Sequence, residues 1–481
     1  MELVSKINAS VNAFVWGIPM LILIMGTGIY FSMRTGWLQF FHFPLVLKKI
    51  FRSAKAETKH DKGAVSPFQA VTTALAATLG TGNIAGVAGA IALGGPGAVF
   101  WMWVSALFGM ATKYAEVLLA IRFRKRNEKG EWVGGPMYYI TRGLGQSWRW
   151  LAIIFACFGA VAAFGIGNMA QMNTISTAVI SLFQSFHPDP SVLVLHGHTI
   201  KLIAGIVVAL ISALVILGGM KRIGEITEKF IPLMSALYLL GAFVVIGVNI
   251  DKLGQVLSDI VEGAFRPEAV TGGAAISMLL SMQRGIGRGV FSNEAGMGSA
   301  PIAHAAANTK SPVEQGFFGI FEVFADTIVI CTVTALVILM GLNDIAYGQN
   351  AGAELTVRAF ATVFTDKGAS AIVAVGILFF AVATIFSWSL YGTRCCEFLL
   401  GPKSTKPYQL LFLGFTVLGA TMEMGLVWEI ADTLNGLMSL PNLIAILALS
   451  GTVAQLTREY KSTLHPRPKH RRVMFIVTKR R

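Results

Sequence analysis

The sequence predicts an all-α polytopic membrane protein of about eleven spans, and three observations carry that reading. Of its 481 residues, 54% are hydrophobic and only 13% charged, with a mean hydropathy of +0.65; a soluble globular chain carries about a quarter charged residues. Apolar runs of roughly 20 residues, the length that lets a helix cross a hydrocarbon core about 30 Å thick, recur along the chain. The 39 Lys and Arg exceed the 25 Asp and Glu, yet too little polar sequence remains to build the solvated basic face of a nucleic-acid binder. Cys157, Cys331, Cys395 and Cys396 form no CxxC pair, so neither a disulfide framework nor a zinc site is expected.

The first span, about 12–33, follows a start with one lysine, Lys6, and ends at Arg34 without a small-residue cleavage site. It reads as a retained helix rather than a signal peptide. Segment 36–52, aromatic on one side and basic at its end, is either an interfacial helix or a short core helix. Later spans fall near 66–93, 97–121, 150–185, 199–218, 230–249, 268–299, 315–341, 369–393, 408–422 and 430–455.

Cytoplasmic loops carry the excess of Lys and Arg, and this fixes the orientation. With the N-terminus outside, the cytoplasmic segments hold 30 basic residues and the outer ones six: Lys6, Lys201, Lys252, Arg266, Arg358 and Lys367. Only Lys113, Arg284 and Arg288 lie within spans. One span more or fewer would swap the sides of every later loop. The expected location is the cell (inner) membrane, multi-pass, with a cytoplasmic C-terminus. The organisation is then an extra N-terminal span (1–35), a cytoplasmic amphipathic segment (36–65), a first five-helix repeat (66–250), a second (268–455) and a basic cytoplasmic tail (456–481).

Two spans are interrupted. The second contains Ala76–Gly86, AATLGTGNIAG, and the seventh contains Ser281–Gly289, SMQRGIGRG. Each Gly costs about 1 kcal/mol against Ala in a helix, and irregular backbone at membrane depth is tolerated only where protein buries it or it lines a watery cavity. Glycine also serves close helix packing. The pairing favours a site: with the first span set aside, the breaks are the first and sixth of ten, and five spans being odd, the second set runs inverted. Interrupted segments at matching positions of inverted halves point to the binding site of a secondary transporter, where freed amides attract a carboxylate and freed carbonyls hold Na⁺.

Other classes fare worse. Gly401-Pro402-Lys403-Ser404-Thr405 lacks Walker A spacing, and GTGNIAG spaces its glycines as GxGxxxG with no preceding strand, so neither an ATP-driven pump nor a dinucleotide site is indicated. The eight histidines fall in loops, tails or span edges, which leaves an intramembrane enzyme without a base at mid-membrane. No enzyme activity is expected. A channel would also contain polar broken backbone, and intramembrane Glu322 and Asp326 leave proton coupling open as an alternative.

The stretches Gly80–Gly86, GTGNIAG; Gly94–Trp103, GGPGAVFWMW; Gly134–Tyr139, GGPMYY; and Asn293–Ala300, NEAGMGSA, closely resemble the alanine or glycine:cation symporter family of prokaryotic sodium:amino acid carriers, over about residues 10–455. The resemblance implies a LeuT-type fold of 5+5 inverted repeats after one extra span, and symport of a small neutral amino acid, alanine or glycine, with sodium as coupling ion and no other cofactor. Its partners are then the amino acid, the sodium ion and the lipid bilayer, with no nucleic acid.

Candidate residues follow. Thr78, Gly82 and Asn83 at the first break offer amides to a substrate carboxylate, although Asn83 is alternatively a cap for the resumed helix. Met282 and Gly285 in the seventh span are read as facing the substrate; Arg284 and Arg288 pair with acids, plausibly Glu294, or reach the cytoplasmic interface. Phe164 and Gln171 belong to a polar patch in an apolar run, and the amide of Gln171 suits an α-amino or carboxylate group, the role the resemblance assigns it. Thr384 and Trp388, at i and i+4, share a helix face and wall a small pocket. The resemblance assigns to this helix the hydroxyl ligands of the sodium site, Thr384 and Ser387, beside the carbonyls of Ala77 and Gly80, an all-oxygen set suited to a hard cation. Back-bonding to their own helix is the ordinary alternative for such hydroxyls. Lys113 and Glu116, one turn apart, read as a structural pair.

Overall fold

The computed structural model describes residues 2–54, 63–186, 190–272, 276–422 and 425–464; the tail expected over 456–481 lies outside them from residue 465 on. Helices α1 (Glu2–Val15) and α2 (Ile18–Arg34) cover the first expected span, and α3 (Leu38–Phe41) and α4 (Phe43–Ala54) the segment expected to be amphipathic. In α4 the face bearing Val46 and Ile50 is buried while Phe51 is exposed. The first broken span is α5 (Pro67–Thr78) and α6 (Ala85–Gly94), followed by α7 (Gly97–Phe123), a two-stranded hairpin of β1 (Lys125–Arg126) and β2 (Trp132–Val133), and the single turn α8 (Pro136–Tyr139). Helices α9 (Arg149–Phe164) and α10 (Ala170–Phe186) join through a wide π-type turn at Gly165–Met169, and α11 (Pro190–Ile216) and α12 (Gly219–Val248) follow.

The amphipathic α13 (Leu253–Phe265) and the short α14 (Pro267–Val270) lead to the second broken span, α15 (Met278–Asn293) and α16 (Ala300–His304). Then come α17 (Pro312–Val323), a π-type stretch over Phe324–Cys331, α18 (Thr332–Gly341), α19 (Ala353–Ala361), α20 (Asp366–Leu400), α21 (Thr405–Thr421), α22 (Gly425–Ala448) and α23 (Ser450–Leu464). Seven helical stretches among the described residues are long and apolar enough to cross a membrane, and eight if α22 and α23, bent by 58° at Leu449, count as one span.

Local chemistry places the helix starts. Ser66 Oγ accepts from Gln69 N at 2.9 Å while Gln69 Oε1 accepts from Ser66 N at 3.0 Å, a reciprocal cap with Pro67 in the first turn. Thr365 caps α20 by accepting from Gly368 N, and α20 stops at Gly401, whose φ is +82°. Burial then sorts the helices. Those of the middle, α5, α7, α15, α17 and α20, pack on one another, whereas α11 and α12 leave Leu210, Leu214 and Leu240 more than 60% exposed, as a lipid-facing surface requires.

Three boundaries differ from the sequence reading. Helix α12 begins at Gly219 rather than near 230, because Lys221, Arg222 and Lys229 are good helix formers that extend it beyond the apolar stretch. The last span bends at Leu449, and part of the expected tail is the helix α23. The largest difference is at the second break: SMQRGIGRG is continuous helix, and the chain departs from helix only at Glu294–Ser299. A Cβ on Gly285 would come 2.3 Å from Ala98 O, and one on Gly289 2.3 Å from Ser105 Oγ. These glycines let α15 lie against α7; the positive φ values belong to Glu294, Gly296 and Gly298.

Candidate functional site

Helix α5 ends at Thr78, and one 3₁₀ turn over Thr81–Asn83 precedes α6. A helix end frees carbonyls that would otherwise take an amide four residues on. Here Thr81 N turns to Gln171 Oε1 of α10 at 3.4 Å, and Ala77 O instead meets the Thr384 hydroxyl of α20 at 3.5 Å. Ser387, almost one turn further along α20, donates to Thr73 O of α5 at 2.7 Å. Thr384 also donates back to Phe380 O at 3.0 Å. Helices α5 and α20 are thus tied by two hydroxyl–carbonyl contacts, at Thr384 and Ser387.

Gly80 lies at the centre. A Cβ there would sit 2.7 Å from Thr384 Oγ1 and 3.5 Å from Gln171 Oε1, so hydroxyl and amide converge on Gly80 and a side chain there would displace the Thr384 hydroxyl. Gly82 faces Phe291 and Ser292 of α15. Asn83 is fully buried; its Oδ1 accepts from Gly80 N at 2.9 Å, and its Nδ2 donates to Asp326 Oδ1 at 2.7 Å. It therefore braces the break in the manner of a cap. Thr78 is buried, with its hydroxyl donating to Leu75 O.

Trp388 is 1% exposed and donates from Nε1 to Glu294 Oε1 at 3.0 Å. A Cβ on Gly167 would fall 2.2 Å from the Trp388 side chain, so the glycine in the π-type turn makes room for the indole. The indole thereby links the helix of Thr384 to the second break.

Three candidates stand apart from the first break. The Phe164 ring packs among Tyr408, Phe412 and Phe415 of α21, with centroids 4.9, 5.9 and 4.8 Å away. Gly285 is taken up by the contact with α7. Met282 precedes the Glu294 turn by twelve residues of nearly continuous helix, about 18 Å at 1.5 Å per residue. The sequence reading set the break too early in α15 and drew Met282 and Gly285 to it.

The charged residues also arrange differently from expectation. Lys113 pairs with Glu322 at 3.2 Å rather than with Glu116, and both side chains are fully buried. Glu322 also contacts His304 Nε2 at 3.1 Å, and Gln315 meets the other ring nitrogen at 2.9 Å; His304 is buried, not at an exposed edge. Glu116 accepts from Gly298 N at 3.1 Å and from Asn442. Glu294 bonds Trp388 and Ser299, not an arginine. Arg284 and Arg288 line a separate cavity with Asn12, Trp16 and Asp432.

Asp326 joins the two breaks. Its Oδ1 accepts from Asn83 and from Ser292 Oγ at 3.1 Å, and Oδ2 from Thr327 at 2.7 Å. Ser292 and Asn442 were absent from the sequence reading. The signal available was their place next to NEAGMGSA and at a polar position of an apolar helix, respectively. Beside the site, a cavity of about 450 Å³ is lined by residues including Ala85, Thr174, Thr177, Ile377 and Arg358. Thr174 lies one turn from Gln171 and Ile377 two turns from Thr384.

A profile of the sodium:alanine symporter family matches residues 1–473. The sodium/alanine symporter AgcS of Methanococcus maripaludis is 45% identical over 469 residues, 96% of this chain and 98% of that protein. An uncharacterized transporter of Haemophilus influenzae is 44% identical over 461 residues, 95% of this chain and 96% of that one. The probable sodium/glutamine symporter GlnT of Bacillus subtilis is 36% identical over 463 residues, 95% and 91% of the respective chains.

Proposed function

Because this chain belongs to the sodium:alanine symporter family, and is thus a sodium-coupled amino-acid symporter rather than an enzyme, we propose that its cargo is a small neutral amino acid, alanine or glycine, carried into the cell by alternating access. The observation that carries this reading is the convergence of Gln171 and Thr384 on Gly80. Amides freed at the start of α6 and the Gln171 amide suit the polar ends of an amino acid. On this reading Thr384 and Trp388 bound the side-chain end of the cargo and restrict it to a few atoms. The carbonyls of Ala77 and Gly80 with the hydroxyls of Thr384 and Ser387 are the oxygen set for Na⁺, and α20 carries ligands for ion and substrate alike, which couples them.

We read α5–α6, α15–α16 and α21 as spans beside the longer apolar helices, which makes eleven, and propose an outside N-terminus and a LeuT-type 5+5 inverted repeat after one extra helix. The 30 to six division of Lys and Arg supports this orientation. The test is uptake of labelled alanine and of labelled glycine into proteoliposomes under an imposed Na⁺ gradient, then under an H⁺ gradient. Concentrative uptake with Na⁺ alone is expected. Uptake driven by H⁺ alone overturns the sodium assignment, and exclusion of both amino acids in favour of glutamine overturns the small-substrate assignment.

A further inference from the structure

The hairpin β1–β2, the start of α9 and the end of α20 enclose a concavity of about 430 Å³ that takes no part in the site above. Four cationic side chains line it: Lys125, Arg126, Arg142 and Arg149. The acids there are Glu128 and Glu397, and Glu397 is already engaged by Arg394 Nη1 at 2.6 Å and Asn127 Nδ2 at 2.8 Å. Arg142 is held in place by donating to Phe123 O at 3.2 Å and to Arg124 O, while Lys125 Nζ lies 5.5 Å from the Tyr138 ring centroid. Fixed cations in excess of acids attract a multiply acceptor-bearing anion such as a phosphate.

The surroundings decide which anion. From Arg149 the outer face of α9 continues through Trp150, 55% exposed, to Ile153 and Ile154, and Trp150 stacks on Trp148 with centroids 6.2 Å apart. Leu400, beside the concavity at the end of α20, is 73% exposed. An aromatic pair at the end of an apolar lane marks the depth where headgroups meet acyl chains, and basic pockets between helices on the cytoplasmic side suit anionic headgroups. We infer that this concavity binds an anionic phospholipid, its phosphate among Lys125, Arg142 and Arg149 and its acyl chains along Trp150, Ile153 and Leu400. The choice of an anionic headgroup rests on the cytoplasmic placement of this face proposed above, and does not depend on the identity of the transported amino acid.

The experiment uses the full-length protein in neutral detergent, titrated with phosphatidylglycerol, with phosphatidylcholine and with inorganic phosphate, and reads thermal stability and retained lipid by native mass spectrometry. Phosphatidylglycerol is expected to raise the melting temperature and to remain bound; the other two are not. The variant K125Q/R149Q, which leaves the backbone contacts of Arg142 intact, is expected to weaken phosphatidylglycerol binding about thirtyfold, from roughly fivefold per cation near an anionic surface. Lys221→Gln with Lys229→Gln, on the same side but on α12, controls for net charge and is expected to change binding less than twofold. Equal binding by K125Q/R149Q and the parent overturns the site, and stabilisation by inorganic phosphate alone overturns its assignment to lipid.

Discussion

At the first helix break the groups that meet Gly80 are neutral: the Thr384 hydroxyl, the Gln171 amide and the Asn83 amide. At the second, carboxylates close the chain: Glu116 takes Gly298 N, and Glu294 spans Trp388 and Ser299. The bond lengths sharpen the contrast. At the first break the contacts of Ala77 O with Thr384 and of Thr81 N with Gln171 are long, 3.5 and 3.4 Å, near the limit of a hydrogen bond, although Asn83 and Ser387 are held there at 2.7 to 2.9 Å; at the second, Glu294 and Glu116 hold Trp388 and Gly298 N at 3.0 and 3.1 Å. Loosely satisfied polar groups are available to exchange partners with an ion or a solute; tightly satisfied ones position the elements around them. On the function proposed above, the first break is the binding site and the second its support, with Asp326 tying one to the other.

The comparison breaks most severely if Gly80 tolerates a side chain. Gly80→Ala puts a carbon 2.7 Å from Thr384 Oγ1, and uptake is expected to fall at least about a hundredfold, with the variant still folded by thermal melting, since overpacking costs about 1–3 kcal/mol. On the second side, Glu322→Gln leaves Lys113 buried and without its counter-charge, an expected loss of about 3–5 kcal/mol. A drop in yield and melting temperature would show it, and a Lys113→Met, Glu322→Leu double variant should recover most of that loss.

Smaller effects sharpen the contrast. Thr384→Ala removes an oxygen from the proposed ion shell at the first break and should raise the Na⁺ concentration for half-maximal uptake about tenfold or more, at a stability change of about 1 kcal/mol. Trp388→Phe leaves Glu294 Oε1 short of a donor, an expected cost of about 1–3 kcal/mol visible in melting before it is visible in ion affinity. Smallest of all, Phe164→Leu and Met282→Leu alter residues remote from Gly80, and uptake within about twofold of the parent is expected, volume-conserving swaps being well tolerated. A tenfold loss of substrate affinity from either would return these residues to the pocket.

Hydropathy and charge made most of the fold legible, because a membrane leaves few alternatives to long apolar helices. The first break was equally legible: Gly80 and Gly82 flank a residue, Thr81, whose amide must find a partner outside the helix. The second was misplaced by about ten residues, since glycines that admit a neighbouring helix, as at Gly285 and Gly289, and glycines that adopt positive φ, as at Gly296 and Gly298, look alike in sequence. Only three-dimensional contact separates them. The pairing of Lys113 with Glu322 rather than Glu116 was hidden for a similar reason: one turn along a helix is visible from spacing, whereas a partner 209 residues away depends on how α7 and α17 pack. Phe164 was drawn toward the site by its polar neighbours, although the wide turn at Gly165–Met169 carries Gln171 inward and leaves the ring on α21.

In the function proposed above, Na⁺ and the amino acid bind together at the first break and strengthen one another, a coupling that must be reciprocal. Alanine binding to the purified transporter, measured by calorimetry across a series of Na⁺ concentrations in the parent and in Thr384→Ala, tests it directly. Alanine affinity that rises with Na⁺ in the parent, with the rise displaced to about tenfold higher Na⁺ or abolished in the variant, is the predicted result. An unchanged Na⁺ dependence in Thr384→Ala would contradict the account.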